Sequence, residues 1–262
     1  MELNKQTINL AQNLELDKKI KIMVSETHLG VGKAIPAGLD WAFQEVEELF
    51  IFEDDCLPSV EFFHYVNRFR NCLSGNTKMI SGINLIPESF RPVSPGTSTL
   101  SSYPSIWGWY TNAQSWKDLS IYLEEAPKFL TILLGVLRRP TKIFSIAYFY
   151  AASIRVYKSE VQAWDCQIAL AMLLHSYVSI VPSRNLVQNN GADFVSSHDM
   201  TPKGESSNVV ADFEFFNLWN QTNFEPIKIK KNDRLLERKV YNIRIRHLLS
   251  PLKVYFRNWK FK

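Results

Sequence analysis

The chain has 262 residues, of which 46% are hydrophobic and 21% are charged, and it carries a net charge of +4. This composition excludes a disordered chain and is typical of a globular protein with one large or two small domains. The cysteines Cys56, Cys72 and Cys166 have no C-x-x-C spacing. Their pattern argues against a disulfide framework or a zinc site and favours a cytoplasmic protein.

Strand and helix signals alternate over the first 84 residues. Residues 19–25 alternate between charged and apolar side chains, which predicts a strand. The wholly apolar run 49–52 predicts a strand that is covered on both faces. Helices are predicted over 33–48 and 60–73, and a further strand over 78–84. The order β, α, β, α, β predicts an α/β fold with a mainly parallel sheet and helices on its faces.

The second half of the chain is predominantly helical. Residues 87–105 are rich in Pro, Ser, Gly and Thr and predict a loop. Helices are predicted within 115–155 and over 163–177, followed by a strand at "VSIVP" and a loop over 185–200. The most apolar stretch, 129–137, is too short to span a bilayer, so we expect a buried or interfacial helix there.

Three consecutive carboxylates, Glu53, Asp54 and Asp55, follow the apolar run 49–52. Ligands of open α/β sheets bind at the carboxyl ends of the strands. A divalent cation such as Mg²⁺ or Mn²⁺ would neutralise adjacent carboxylates and also bind a substrate phosphate. The alternative is that Asp54 or Asp55 caps the helix that follows Pro58.

The segment Gly30-Val31-Gly32-Lys33 precedes the first predicted helix. It lacks the spacing of a phosphate-binding P-loop. The glycines would let the backbone approach a nucleotide closely. Lys33 would either bind the diphosphate at the start of the helix or face solvent.

Four motifs resemble, in order and spacing, those of GT-A nucleotide-sugar glycosyltransferases. The likeness covers 19–198 and is strongest to bacterial nucleotide-diphospho-sugar transferases that resemble N-acetylglucosaminyltransferase I. The motifs are an acidic DXD-type Glu53-Asp54-Asp55, Trp107-Gly108-Trp109, "AWD" at 163–165 and "PSRNLVQNNGADFVSSH" at 182–198. The resemblance implies a GT-A-like, Rossmann-like fold and a metal-dependent transferase of polysaccharide or glycolipid synthesis.

The resemblance also implies roles for the residues of the donor site. Asp55 would be the direct ligand of Mn²⁺ or Mg²⁺. Glu53 and Asp54 would contact the ribose of the nucleotide-diphospho-sugar donor or water on the metal. His198 would approach the metal or the diphosphate, or it would be a histidine of a surface loop.

On the acceptor side, the resemblance implies that Asp165 is the general base that deprotonates the acceptor hydroxyl, with inversion at the anomeric carbon. The alternative for Asp165 is a helix N-cap. Trp107 and Trp109 would form an aromatic wall for a donor or acceptor sugar, or they would be core aromatics.

The relatives carry a further strand and helix before the glycine turn, so we expect an N-terminally shortened GT-A-like domain over 1–226. A basic extension, 227–262, follows, with twelve Lys and Arg against two Asp and Glu. Three interpretations stay open: a shortened gene product, an enzyme that binds nucleotide in a reduced way, or a degenerate, non-catalytic binding protein of the same fold.

The expected partners are a nucleotide-sugar donor and a glycan or glycolipid acceptor, without nucleic acid. The basic extension predicts contact with anionic lipid at the inner membrane face, unless it is simply a solvated surface. A metal-dependent phosphohydrolase is a further alternative, although it would need more carboxylate or histidine ligands at other strand ends.

Overall fold

A computed structural model of the chain describes residues 20–87, 90, 97–189 and 229–251, together with positions 6, 9, 10 and 13. The strands are β1 (Glu48–Ile51), β2 (Cys56–Pro58), β3 (Thr77–Ser81), β4 (Ser98–Ser101), β5 (Trp109–Asn112), β6 (Val178–Pro182) and β7 (Val187–Asn189). The α-helices are α1 (Val31–Ala42), α2 (Val60–Phe69), α3 (Ala113–Leu119), α4 (Phe129–Arg138), α5 (Ile143–Tyr157), α6 (Asp165–His175) and α7 (Ile229–Leu235).

The main sheet has five strands in the order β1-β5-β3-β6-β4. Among the described strands only β3 and β6 pair in parallel, and the other neighbours in this sheet are antiparallel. The α/β class is therefore confirmed, but the predicted mainly parallel sheet is wrong. The reason is that β5 inserts between β1 and β3 and reverses the direction of pairing on both sides. A separate antiparallel ladder joins β2 to β7.

Three local predictions are also wrong. Residues 20–25 form no strand and are exposed, because none of the described strands pairs with them to cover one face. The predicted loop 87–105 contains β4, whose Ser-Thr-Leu-Ser sequence carries no clear strand signal. The run 49–52 is not covered on both faces, since Phe50 is 38% exposed and β1 alternates between exposed and half-buried residues.

Helices cover both faces of the sheet. On one face, α2 packs its buried Phe62, Val66 and Phe69 against β3 and β6. On the other face, α6 contributes Ile168 and Met172 to a cluster with β3, β5 and α3. Every residue of α6 from 166 to 174 is buried, because α5 covers the side of α6 that faces away from the sheet. The helix predicted over 163–177 is thus confirmed as α6. The structure places it at the centre of the core.

Residues 229–251, the described part of the predicted basic extension, pack on this core. Leu236 is buried in the same apolar cluster as α5 and α6. Lys142 donates to Asp233 at 2.8 Å and to Glu237 at 2.6 Å, and Glu237 also accepts from Tyr103 at 2.7 Å. This group, the Lys142 network, joins the start of α5 to α7 and the turn that follows it. None of the described helices is both long and apolar enough to cross a bilayer.

Candidate functional site

The three consecutive carboxylates lie in a tight turn at the end of β1. Cys56 donates its backbone N–H to the carbonyl oxygen of Glu53 at 3.0 Å, which places Asp54 and Asp55 at the two central positions. We call residues 53–56 the carboxylate turn. Helix α2 begins at Val60 after Ser59, so neither aspartate caps it, and the capping alternative is wrong.

The carboxylate turn lies at the end of the sheet where ligands of α/β proteins bind. Strands β1 and β3 are both antiparallel to β5, and β6 is parallel to β3. Three strands of the sheet therefore run in the same direction, and the turn follows the carboxyl end of one of them. Open α/β sheets bind their ligands at the carboxyl ends of their strands.

Two glycines fix the ladder that carries the turn. Strand β2 starts at the last residue of the turn and pairs with β7. Gly82 donates its N–H to the carbonyl of Gly108 at 2.7 Å, and Leu186 donates to the carbonyl of Gly82 at 2.7 Å. A Cβ on Gly82 would lie 2.4 Å from Val187 Cγ2, and Gly108 has φ 71°. Only glycine allows β7 to cross the ends of β3 and β5 this closely.

Burial and neighbouring negative charges perturb the Glu53 carboxyl. Burial is the largest cause that raises its pKa to about 7, followed by the negative charges of Asp55, Asp54 and Asp165. The half-buried carboxyl is therefore ready to exchange a proton near neutral pH. The contribution of Asp165 also places the start of α6 within electrostatic reach of the turn, although the two segments are far apart in the sequence.

Cys56 supports the turn in a way that the sequence did not suggest. Burial raises the pKa of its thiol to about 12, so the thiol stays protonated. Its Sγ donates to Oδ1 of Asp55 at 3.4 Å, which orients that carboxylate. The only signal was that Cys56 directly follows Asp55, and adjacency alone does not predict a hydrogen bond.

Among the residues that the structure describes, the charges of the turn have no cationic ion-pair partner. Within the described ranges, no Lys or Arg forms an ion pair with Glu53, Asp54 or Asp55. Within those ranges, too, no three His, Cys, Asp or Glu side chains converge as a ready-made metal site. The turn fits a divalent ion that takes one or two carboxylate oxygens and completes its shell with phosphate and water, as Mg²⁺ commonly does.

Asp165 is the first residue of α6 and is exposed. The N-cap position belongs to Trp164, so the N-cap alternative for Asp165 is wrong. Trp164 is buried and lies 6.2 Å from Trp109 and 6.4 Å from Trp116, measured between ring centroids. This aromatic anchor fixes the start of α6 and leaves the Asp165 carboxylate at the surface.

The prediction that Trp107 and Trp109 form an aromatic wall for a sugar is wrong for Trp109. Trp109 is 1% exposed within the cluster around Trp164, so no face of its ring is open to a sugar. It is a core aromatic. Trp107 is half-buried and packs beside the α2 cluster, and its sugar-binding role stays a prediction.

Gly30 was expected to let the backbone approach a nucleotide closely, but the atoms that lie close to it belong to the protein itself. A Cβ on Gly30 would lie 2.2 Å from Gln162 Oε1, and one on Gly32 would lie 3.0 Å from the carbonyl oxygen of Ala163. The glycine turn therefore packs against the segment that leads into Asp165. Beside it lies a shallow depression of about 410 Å³ lined by residues 25–31 and Ala34. Lys33 lies exposed in the first turn of α1.

Two tyrosines, which the sequence gave no reason to single out, lie near Asp165. The negative charge of Asp165 contributes, after burial, to raising the pKa values of Tyr148 and Tyr241. Tyr148 comes from α5 and Tyr241 from the segment after α7, so only the fold reveals their proximity. His198, the second predicted metal ligand, lies outside the described residues.

No protein-family model matches the chain, and no curated protein matches it significantly. The site is therefore characterised by its geometry. It consists of a carboxylate turn, Asp165 within electrostatic reach of Glu53, and a glycine turn packed against the segment before Asp165.

Proposed function

We propose that the chain is a metal-dependent glycosyltransferase with a GT-A-like fold that moves a sugar from a nucleotide-diphospho-sugar to a glycan or glycolipid acceptor. One observation carries the proposal. The carboxylate turn at the end of β1 and Asp165 at the start of α6 are close enough to interact electrostatically. Direct displacement at a sugar carbon needs this pair of features, a cation site for the leaving diphosphate and a base for the acceptor.

The donor would bind at the carboxylate turn. Asp55, oriented by the Cys56 thiol, would be the first ligand of Mn²⁺ or Mg²⁺, with Asp54 beside it. When bound, the ion would supply positive charge against the leaving diphosphate. Glu53, with a pKa of about 7, would donate or accept a hydrogen bond at the nucleotide ribose. His198 and Lys33 remain candidates for the diphosphate.

The acceptor would bind near the start of α6. The Asp165 carboxylate would accept the proton of the attacking hydroxyl while that oxygen forms its bond to the anomeric carbon. The bond to the diphosphate breaks with its electron pair on the leaving oxygen, and the anomeric carbon inverts. Tyr148 would line the approach to Asp165, and Trp107, half-buried beside the α2 cluster, stays a candidate for stacking on a sugar.

Calorimetry with UDP-sugars in the presence of Mn²⁺ tests the donor site. The wild-type protein should bind the nucleotide in a Mn²⁺-dependent manner, and Asp55→Asn should weaken binding by about tenfold or more. Glu61→Gln is the matched control, because it removes one carboxylate from the nearby α2 without touching the turn. Equal affinity of wild type and Asp55→Asn would refute the metal assignment.

Turnover separates the enzyme from a non-catalytic binding protein of the same fold. In an enzyme, Asp165→Asn should retain donor binding and lose transfer by about a hundredfold or more. The absence of a complete metal-ligand set among the described side chains favours testing the alternative directly. A protein that binds nucleotide but transfers no sugar to any acceptor, with or without Asp165, would be the degenerate relative.

A further inference from the structure

Helix α4 exposes an almost entirely apolar face. Its five large outward side chains, which we call the α4 outer face, recur at spacings that place them on one side of the helix. They are Phe129, Leu130, Leu133, Leu134 and Leu137, with exposed fractions of 78%, 63%, 42%, 41% and 66%. Contiguous apolar surface of this kind marks an interaction site.

The opposite side of α4 is fixed to the core. Ile132 and Val136 pack on the cluster of α5 and α6. A Cβ on Gly135 would lie 2.5 Å from Leu174 Cδ2, so the helix backbone lies directly on α6. This contact holds α4 in one orientation and keeps the outer face pointing away from the protein.

Cations flank the outer face at both ends. Lys128 precedes the helix and Arg138 ends it, both are exposed, and no acidic residue occurs between 126 and 142. Arg139, which follows, is turned inward and donates to Ser102 Oγ at 2.6 Å. An apolar helix face with cationic ends is typical of helices that lie in the plane of an anionic bilayer surface. The cations would meet lipid phosphates while the Leu and Phe side chains enter the boundary of the acyl chains.

A second stretch of the described chain combines the same two properties. In the 3₁₀ turn Ile245–Leu249, Ile245 is 74% exposed and Leu249 is 53% exposed, and Arg244 and Arg246 beside them are exposed as well. This turn packs on α5, as α4 does. Exposed apolar side chains and cations therefore occur together on two elements, and both elements pack on α5.

The size of the α4 outer face argues against a second copy of the chain as its partner. A helix of 10 residues is about 15 Å long and about 10 Å wide. Its outer face falls well short of the roughly 800 Å² per partner that a stable protein interface buries. A bilayer needs no such area, since a few apolar side chains and cations suffice for reversible binding.

We propose that the α4 outer face binds the surface of a bilayer that contains anionic lipids, with the helix lying parallel to that surface. The inference is independent of the proposed transferase activity. It assigns membrane contact to a surface within the folded domain, in line with the interfacial alternative predicted for 129–137, whereas the contact with anionic lipid was predicted for the basic extension.

Co-sedimentation with vesicles of phosphatidylcholine and 30% phosphatidylserine tests the proposal on the full chain. Wild type should bind these vesicles, and Leu130→Glu/Leu137→Glu should bind about tenfold less or weaker still. Val60→Glu is the matched control, because Val60 is 68% exposed on another helix, and it should bind like wild type. Circular dichroism should show all three proteins to be folded alike.

The cations are tested separately. Lys128→Gln/Arg138→Gln should weaken binding to the anionic vesicles by about fivefold per residue and reduce the difference from pure phosphatidylcholine vesicles accordingly. Neutralising the tail with Lys253→Gln/Arg257→Gln/Lys260→Gln should have a smaller effect.

Three results would overturn the proposal. One is a wild-type protein that binds neither kind of vesicle. Another is a Leu130→Glu/Leu137→Glu variant that binds as well as wild type while the tail variant does not, which would assign the contact to the tail. The third is a wild-type dimer in analytical ultracentrifugation without lipid that the same double variant dissociates, since the face would then be covered by a second copy.

Discussion

Acidic side chains occur in two very different settings in this molecule. In the Lys142 network, Asp233 and Glu237 lie beside the Lys142 ammonium at 2.8 and 2.6 Å, and Asp233 also accepts the backbone N–H of Ser102 at 3.0 Å. In the carboxylate turn, three acids are adjacent in the chain and no cationic side chain of the described residues pairs with them.

The difference indicates what each group is for. Compensated charges in the interior hold elements together and specify their arrangement. Uncompensated charges at the end of a strand repel one another, and here their repulsion contributes to the raised pKa of Glu53. Such a group adds little to stability on its own, and under the proposed function a bound cation would compensate its charge.

Breaking the compensated group should have the largest effect. Lys142→Met leaves Asp233 and Glu237 without their cation, and we expect a loss of about 3–5 kcal/mol in the free energy of unfolding. Urea denaturation at pH 7 measures it. The triple variant Lys142→Met/Asp233→Asn/Glu237→Gln should regain more than half of the loss, because no buried charge remains. A loss below about 1 kcal/mol for Lys142→Met would contradict this account.

Displacing the carboxylate turn should cost less. An alanine at Gly82 would force Val187 and the Gly108 carbonyl away, and we expect about 2 kcal/mol of destabilisation together with weaker donor binding. Gly38→Ala is the matched control, because a Cβ there meets nothing within 4 Å. That change should be neutral or stabilising by up to about 1 kcal/mol. If Gly82→Ala and Gly38→Ala have the same free energy of unfolding in urea, the crossing of β7 over the ends of β3 and β5 tolerates a side chain.

The next largest effect should be on the pH dependence of the free energy of unfolding. The pKa of Glu53 is raised from 4.5 to about 7 in the folded state, so folding favours its protonated form. This contribution is fully present below pH 4.5 and is lost as pH rises through about 7. Solvent screening of a half-exposed group limits the effect to about 1 kcal/mol. Denaturation curves of wild type should show this loss between pH 4.5 and about 7, and those of Glu53→Gln should not.

The smallest change is expected at the exposed member of the turn. Asp54→Asn removes one negative charge beside Glu53, so the pKa of Glu53 should fall below about 7 while stability changes by less than about 0.5 kcal/mol. Carbon-detected NMR titration of the Glu53 carboxyl measures the shift. Glu61→Gln should leave the titration unchanged, and a Glu53 pKa that does not respond to Asp54→Asn would mean that burial and the other carboxylates set it.

The elements that the sequence predicted well are those with long periodic signals. Helix α6 and helix α2 each present continuous or periodic apolar residues, and β6 (Val178–Pro182) is apolar apart from Ser179. The elements that it missed are short. Strands β2 and β7 have three residues each, too few for any periodicity to appear. The insertion of β5 between β1 and β3 is a long-range pairing that no local pattern encodes.

In the candidate site, too, the sequence predicts what a local signal encodes and misses what depends on long-range packing. The run of acids at the end of β1 could be located from the sequence, because charge after an apolar strand is a local signal. The proximity of Asp165, the thiol hydrogen bond of Cys56 and the burial of Trp109 depend on how distant segments pack. Sequence reasoning could therefore name the acids but could not tell which aromatic residue belongs to the core.

The titration of Glu53 in the presence of Mg²⁺ and UDP tests the central claim most directly. If the carboxylate turn holds a cation and a diphosphate, the added positive charge should lower the pKa of Glu53 from about 7 to about 6 or below. Mg²⁺ or UDP alone should have a smaller effect. A pKa that stays near 7 with both ligands at saturating concentration would contradict the assignment of this turn as the donor site.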